Sequence, residues 1–102
     1  MNVGLQITKN EDKFSSLLKV LRDSLDHKGA YNFIHIKNDE SLFKRCNDLN
    51  ILVCYSLKKN IFDYKVDNLK WIHFGAAGIF SSLHPELLKS KIIVTNAKGI
   101  HA

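Results

Sequence analysis

Apolar positions along this chain follow two alternating rhythms. Residues 2–8 (NVGLQIT) place Val3, Leu5 and Ile7 on one side of an extended segment, the period of two that marks a half-buried strand. The period then lengthens. Phe14, Leu17, Leu18, Leu21 and Leu25 recur at helical spacing until Gly29 offers a stop, and Thr8-Lys9-Asn10-Glu11 ahead of them has the form of a capping box. Residues 31–37 (YNFIHIK) are aromatic and β-branched, as suits a half-exposed edge strand. Residues 39–48 read as a short helix with Leu42, Phe43 and Cys46 inward and Asn38 or Asp39 as cap.

The second half repeats the alternation. Ile51-Leu52-Val53-Cys54-Tyr55 is a continuous apolar run, the pattern of a central strand covered on both faces. Residues 56–68 hold one helical turn around Ile61, Phe62 and Tyr64. A strand over 69–74 follows, with Trp71 in the core or against a helix. Next come a small-residue loop, Gly75-Ala76-Ala77-Gly78, a proline-marked helix start at His84-Pro85-Glu86, and a last strand, Ile92-Ile93-Val94, running into Thr95-Asn96.

Strands alternating with helices in this way predict an α/β fold: a flavodoxin-like, doubly wound, parallel five-stranded sheet of order 2-1-3-4-5 in three α/β/α layers, with right-handed crossovers. Ligands in such sheets sit beyond the carboxyl ends of the strands, beside the reversal of strand order. That edge collects the turns after Ile7, Tyr55, Phe74 and Val94, and with them Ser56, the 75–78 loop and Asn96.

Composition narrows the picture. A chain of 102 residues with 45% hydrophobic content is one small domain able to bury a core without staples. Cys46 and Cys54 lack metal-ligand spacing and read as buried free thiols in a reducing compartment. The net charge is +5, but only Arg22 and Arg45 are arginines and the lysines are scattered, so no nucleic-acid surface is expected. No apolar run approaches the roughly 18 residues of a membrane span and no signal pattern opens the chain, so the expectation is a soluble cytoplasmic protein without a membrane partner.

Candidate chemistry concentrates in the 75–78 loop, where small residues let backbone N–H groups approach a carboxylate or phosphate. Tyr55 and Ser56 border the same cleft. His27, His35, His73 and His84 have no base or nucleophile at a telling spacing and read as structural. No Ser/His/Asp set, metal-binding helix or Gly-x-Gly-x-x-Gly motif is present.

The last third, residues 69–102, resembles the D-isomer-specific 2-hydroxyacid dehydrogenases, in the first part of their substrate domain. The resemblance is carried by Leu69-Lys70-Trp71-Ile72, Ala76-Ala77-Gly78, Pro85-Glu86-Leu87 and Thr95-Asn96-Ala97-Lys98-Gly99-Ile100-His101-Ala102, in the family's order and spacing. It implies that backbone N–H groups of Ala76, Ala77 and Gly78 hold the carboxylate of a small 2-oxo or 2-hydroxy acid, and that Asn96 and His101 lie near the interdomain hinge. Where the family commonly has an acidic residue two positions after the loop glycine, this chain has Phe80.

In that family the nicotinamide cofactor, NAD or NADP, and the arginine, histidine and carboxylate of the reaction belong to a separate cofactor domain. The resemblance therefore implies a single substrate-binding-type domain over residues 1–102, lacking the NAD-binding domain that is its natural partner. As a fragment, a truncated product or one half of a split protein, it is expected to bind acid weakly, contain no catalytic residue and no cofactor or metal of its own, and be inactive alone. The alternative is a stand-alone flavodoxin-like interaction or regulatory module without enzymatic activity. A receiver domain is disfavoured because Tyr55-Ser56 supplies no phosphorylatable aspartate.

Overall fold

The computed structural model of the protein describes residues 1–24, 31–75, 82–96 and 99–101. Strands β1 (Asn2–Gln6), β2 (Asn32–His35), β3 (Ile51–Cys54), β4 (Trp71–Phe74) and β5 (Ile93–Asn96) form a parallel sheet. Its order is β2-β1-β3-β4-β5, as expected. A sixth strand, β6 (Gly99–His101), extends the sheet by running antiparallel to β5. Helices α1 (Glu11–Ser24), α2 (Asp39–Arg45) and α3 (Pro85–Lys89) fill connections, with 3₁₀ turns over Cys46–Asp48 and Lys59–Asp63. The expected stop at Gly29, with Leu25 and His27, lies outside the described residues.

Strand alternation sorts the core onto two faces. On one, Leu52, Cys54, Ile72, Phe74 and Val94 meet Leu42 of α2, Ile61 and Leu87 of α3. On the other, Val3 and Leu5 pack under Phe14 and Leu18 of α1, next to Ile51 and Val53. These are the three layers.

The layers are unequal because right-handed crossovers that step in opposite directions along a sheet lie on opposite faces. Only the β1–β2 step goes one way, so only α1 covers the second face among the described residues. There Ile51 and Val53 are half-buried, Trp71 is 39% exposed and Ile93 60%. This corrects two expectations: among the described residues β3 is only partly covered on its second face, and Trp71 is neither core nor packed beneath a helix. Its indole Nε1 donates instead to Thr95 Oγ1 at 2.8 Å, the same hydroxyl that meets His73 Nδ1 at 2.7 Å.

Close approach fixes one glycine. A Cβ at Gly4 would lie 2.7 Å from Leu49 Cδ1, and Leu49 is fully buried. The chain therefore folds over β1 at van der Waals contact.

Candidate functional site

Parallel register brings the strand ends level. Gln6 stands opposite Cys54, Cys54 opposite Phe74, and Phe74 opposite Asn96, a row running straight across the carboxyl edge. The order reverses at β1, whose neighbours β2 and β3 lie on either side. At that reversal a cavity of about 320 Å³ opens, lined among others by Gln6, Thr8, Lys37, Asp39, Tyr55 and Ser56.

Capping residues shape its rim. Asn10 caps α1: its side-chain oxygen accepts from Lys13 N–H at 3.0 Å, and its own N–H donates to Thr8 Oγ1 at 3.1 Å. The anticipated capping box is thus replaced by an asparagine cap, and Glu11 pairs across the rim with Lys37. Asn38 caps α2, accepting from Ser41 N–H at 2.8 Å.

Asp39 is the electrostatic centre. Its carboxylate accepts from Gln6 Nε2 at 2.9 Å and meets Lys58 Nζ at 3.1 Å. The Gln6 hydrogen bond first, then Lys58 and Lys9, hold the carboxyl below its ordinary value against the opposing effect of burial. The other Gln6 side-chain atom, Oε1, is buried and without a hydrogen-bond partner among the described residues. Glu11 is likewise held below the ordinary value, chiefly by its hydrogen bond to Lys37.

Tyr55 forms the far wall. A Cβ at Gly75 would lie 2.7 Å from Tyr55 Cε1, so the ring lies directly on the glycine backbone, while Gly75 N–H donates to Cys54 O at 2.8 Å. Glycine lets the ring sit this close. Ser56 follows on the same wall.

Of the residues marked from sequence, Tyr55 and Ser56 are brought together on this cavity, whereas Ala76, Ala77 and Gly78 lie outside the described residues. Asn96 is buried at the end of β5. His101 stands opposite Val94 in β6, two positions back from the edge that Asn96 and Gly99 define. Gln6, Thr8, Lys37 and Asp39 were not marked. The signal that could have found them is positional: each is at or just past the end of β1 or β2, the two strands beside the reversal.

His35, His73 and His84 have structural partners. His35 Nε2 meets Thr8 O at 2.7 Å and its ring stacks on Phe14 at 4.0 Å. His84 Nε2 meets Leu57 O at 2.7 Å, while Leu57 N–H donates to Ser82 Oγ at 2.9 Å. Both cysteines are buried and free. Burial first, and Asp39 second, push the Cys54 thiol up to about 12, so it stays protonated. Among the described residues there is no cluster of three His, Cys, Asp or Glu side chains able to hold a metal ion, and no helix long and apolar enough to cross a membrane.

With Gln6, Thr8, Lys37, Asp39 and Ser56 in its lining, the cavity can hold a small polar molecule. No family model and no curated protein matches the chain. Its fold is that of a solved D-isomer specific 2-hydroxyacid dehydrogenase family protein from Aeromonas salmonicida subsp. salmonicida A449, with a TM-score of 0.68 and 20% sequence identity. The likeness covers 97% of this chain and 30% of that one.

Proposed function

We propose that this chain is the substrate-binding portion of a D-2-hydroxyacid dehydrogenase, taking a small 2-oxo or 2-hydroxy acid at the carboxyl edge of its sheet and inactive alone. The observation that carries the reading is the structural likeness to such a protein over nearly the whole chain. The polar cavity at the reversal of strand order supports it.

The roles follow the chain. Backbone N–H groups of Ala76, Ala77 and Gly78 receive the carboxylate, as the resemblance implies; charge-assisted bonds of this kind are worth about 1.5–3 kcal/mol each. Tyr55 and Ser56 wall the acid on its other side. Asn96 and His101 belong to the segment leading toward a second domain.

In a full-length enzyme of this kind a bound nicotinamide would supply the hydride chemistry. The residues here do not fit such a cofactor. A dinucleotide's pyrophosphate needs glycine-rich backbone between the first strand and helix, and that turn carries Ile7-Thr8-Lys9-Asn10, with Asn10 already spent on the cap. NAD or NADP, and the acid–base pair, belong to a separate cofactor domain in this reading.

The test is an amide-shift titration of the purified chain with pyruvate or oxamate, alongside an NADH oxidation assay. Shifts at Tyr55, Ser56 and residues 75–78 without turnover are expected. Silence at those positions would return the chain to a stand-alone interaction module, and measurable NADH oxidation would overturn the assignment.

A further inference from the structure

Ser56 stands on the cavity wall with its hydroxyl free of any hydrogen bond among the described residues. What holds it there comes from a distant part of the chain. Leu57 N–H donates to Ser82 Oγ at 2.9 Å, and Leu57 O meets His84 Nε2 at 2.7 Å. A carbonyl only accepts, so His84 carries a proton on Nε2. From this capture of both backbone groups of one residue we propose that Ser82 and His84 are positioning residues: they set the Ser56 hydroxyl against the bound acid, an assignment that rests on the acid-binding reading above.

Planar peptide units direct the effect to Ser56. The Leu57 N–H belongs to the Ser56–Leu57 peptide, so Ser82 fixes the plane that follows Ser56. On the other side, Cys54 O accepts from Gly75 N–H at 2.8 Å, which fixes the Cys54–Tyr55 peptide. Ser56 therefore lies between two pinned units. The clamp itself is firm: Ser82 is 2% exposed and Leu57 4%, so water does not compete for the Leu57 N–H. His84 is held by the start of α3, where its carbonyl accepts from Leu88 N–H at 3.1 Å and Pro85 favours the extended backbone that His84 adopts.

Charged neighbours continue the arrangement. Lys59 Nζ lies 3.7 Å from Oε1 of Glu86, two residues past His84, whereas Lys58 Nζ turns to Asp39 at 3.1 Å. The 57–59 segment thus ties the start of α3 to the Asp39 group, and Ser56 stands at its head. A clamp that served stability alone would leave ligand affinity untouched. One that aims a hydroxyl changes affinity when it slackens, because a hydrogen bond weakens steeply with distance and angle.

A double-mutant cycle on the purified chain separates the two, with oxamate as the probe and the amide shifts of Tyr55 and Ser56 as the readout. S56A is expected to weaken oxamate about tenfold, the share of one hydrogen bond to a charged group. S82A and H84L should each weaken it about threefold, half of that free energy, with faster amide exchange at Leu57. In the S56A background neither should weaken it further, because the hydroxyl they place is gone. H84Q, which returns an N–H donor near the Nε2 position, should recover native affinity.

Native oxamate affinity in S82A and H84L would overturn the positioning role and leave acid binding standing. Losses that add to that of S56A would overturn it as well, since the clamp would then act by another route. Silence of the native chain toward oxamate would overturn the acid-binding reading and this assignment together. Should S82A fail to fold, H84L and H84Q decide alone: a loss in the first that the second restores upholds the clamp, and any other result overturns it.

Discussion

Two glycines make opposite demands on their neighbours, and single substitutions separate them. At Gly4 the obstructing atoms belong to Leu49, fully buried and 2.7–3.1 Å from where a Cβ would sit. Gly4→Ala should therefore cost about 1–3 kcal/mol, the range for overpacking a tight core, read as a lowered urea midpoint; an unchanged midpoint would show that Leu49 relocates freely. At Gly75 the obstructing atom is the edge of the half-exposed Tyr55 ring, which can swing toward solvent. Gly75→Ala should cost less than about 1 kcal/mol while moving the Tyr55 ring resonances and weakening acid binding. Asp39 adds a pH dependence. Its folded carboxyl lies below the ordinary 3.8, so its stabilising contribution is present above that value and is lost as pH falls through the lower folded one. The stability gap between the native chain and Asp39→Asn, measured by urea unfolding, should be constant from pH 7 to 5 and close below pH 4; a gap that widens on acidification would contradict the assigned sign. None of these pairings was legible in the sequence. Gln6 and Asp39 are 33 positions apart, and no local pattern says that the ends of the first two strands share one cavity wall.

At the scale of elements, the sequence was far more readable, because each strand and helix is written in its own apolar period. The differences lie at the ends. The predicted capping box assigned the cap to Thr8, but the helix begins at Glu11 under Asn10, and a cap is decided by which side-chain oxygen reaches the free N–H groups. The predicted 39–48 helix becomes α-helical only to Arg45 and tightens into a 3₁₀ turn, where Leu49 N–H donates to Cys46 O. β6 went unread, since three residues returning along β5 leave no periodic signature. Caps also carry a test. Asn38 holds a helix of seven residues with one side-chain bond, so Asn38→Ala should destabilise the protein by about 1 kcal/mol and raise amide exchange at Ser41. Unaltered exchange there would mean that the helix holds its first turn without the cap.

For the molecule as a whole, the strand order followed from the sequence because connections of this length leave few alternatives, whereas the inequality of the two faces did not. A period of apolar residues says that a face is apolar, not that something covers it. Trp71, the single tryptophan, marks the face that α1 alone covers among the described residues and serves as its gauge: acrylamide should quench its fluorescence readily in the folded protein, and a shielded indole would mean that the face is occupied in solution. The opposite face holds the stability. Ile72 and Leu52 are fully buried there, and truncating Ile72 to alanine should cost about 2–5 kcal/mol, against a much smaller loss for Ile93→Ala on the open side, both read from urea unfolding.

Strand order also sets a timetable. β1 is the first of the six described strands to be synthesised, yet its two partners are β2 and β3. One ladder cannot close until His35 has been made, and the other not until Cys54. During translation of the first half of the chain, β1 keeps at least one unpaired edge, the kind of edge that recruits strands from other molecules. That edge stays open until the strand leading to Tyr55 and Ser56 docks.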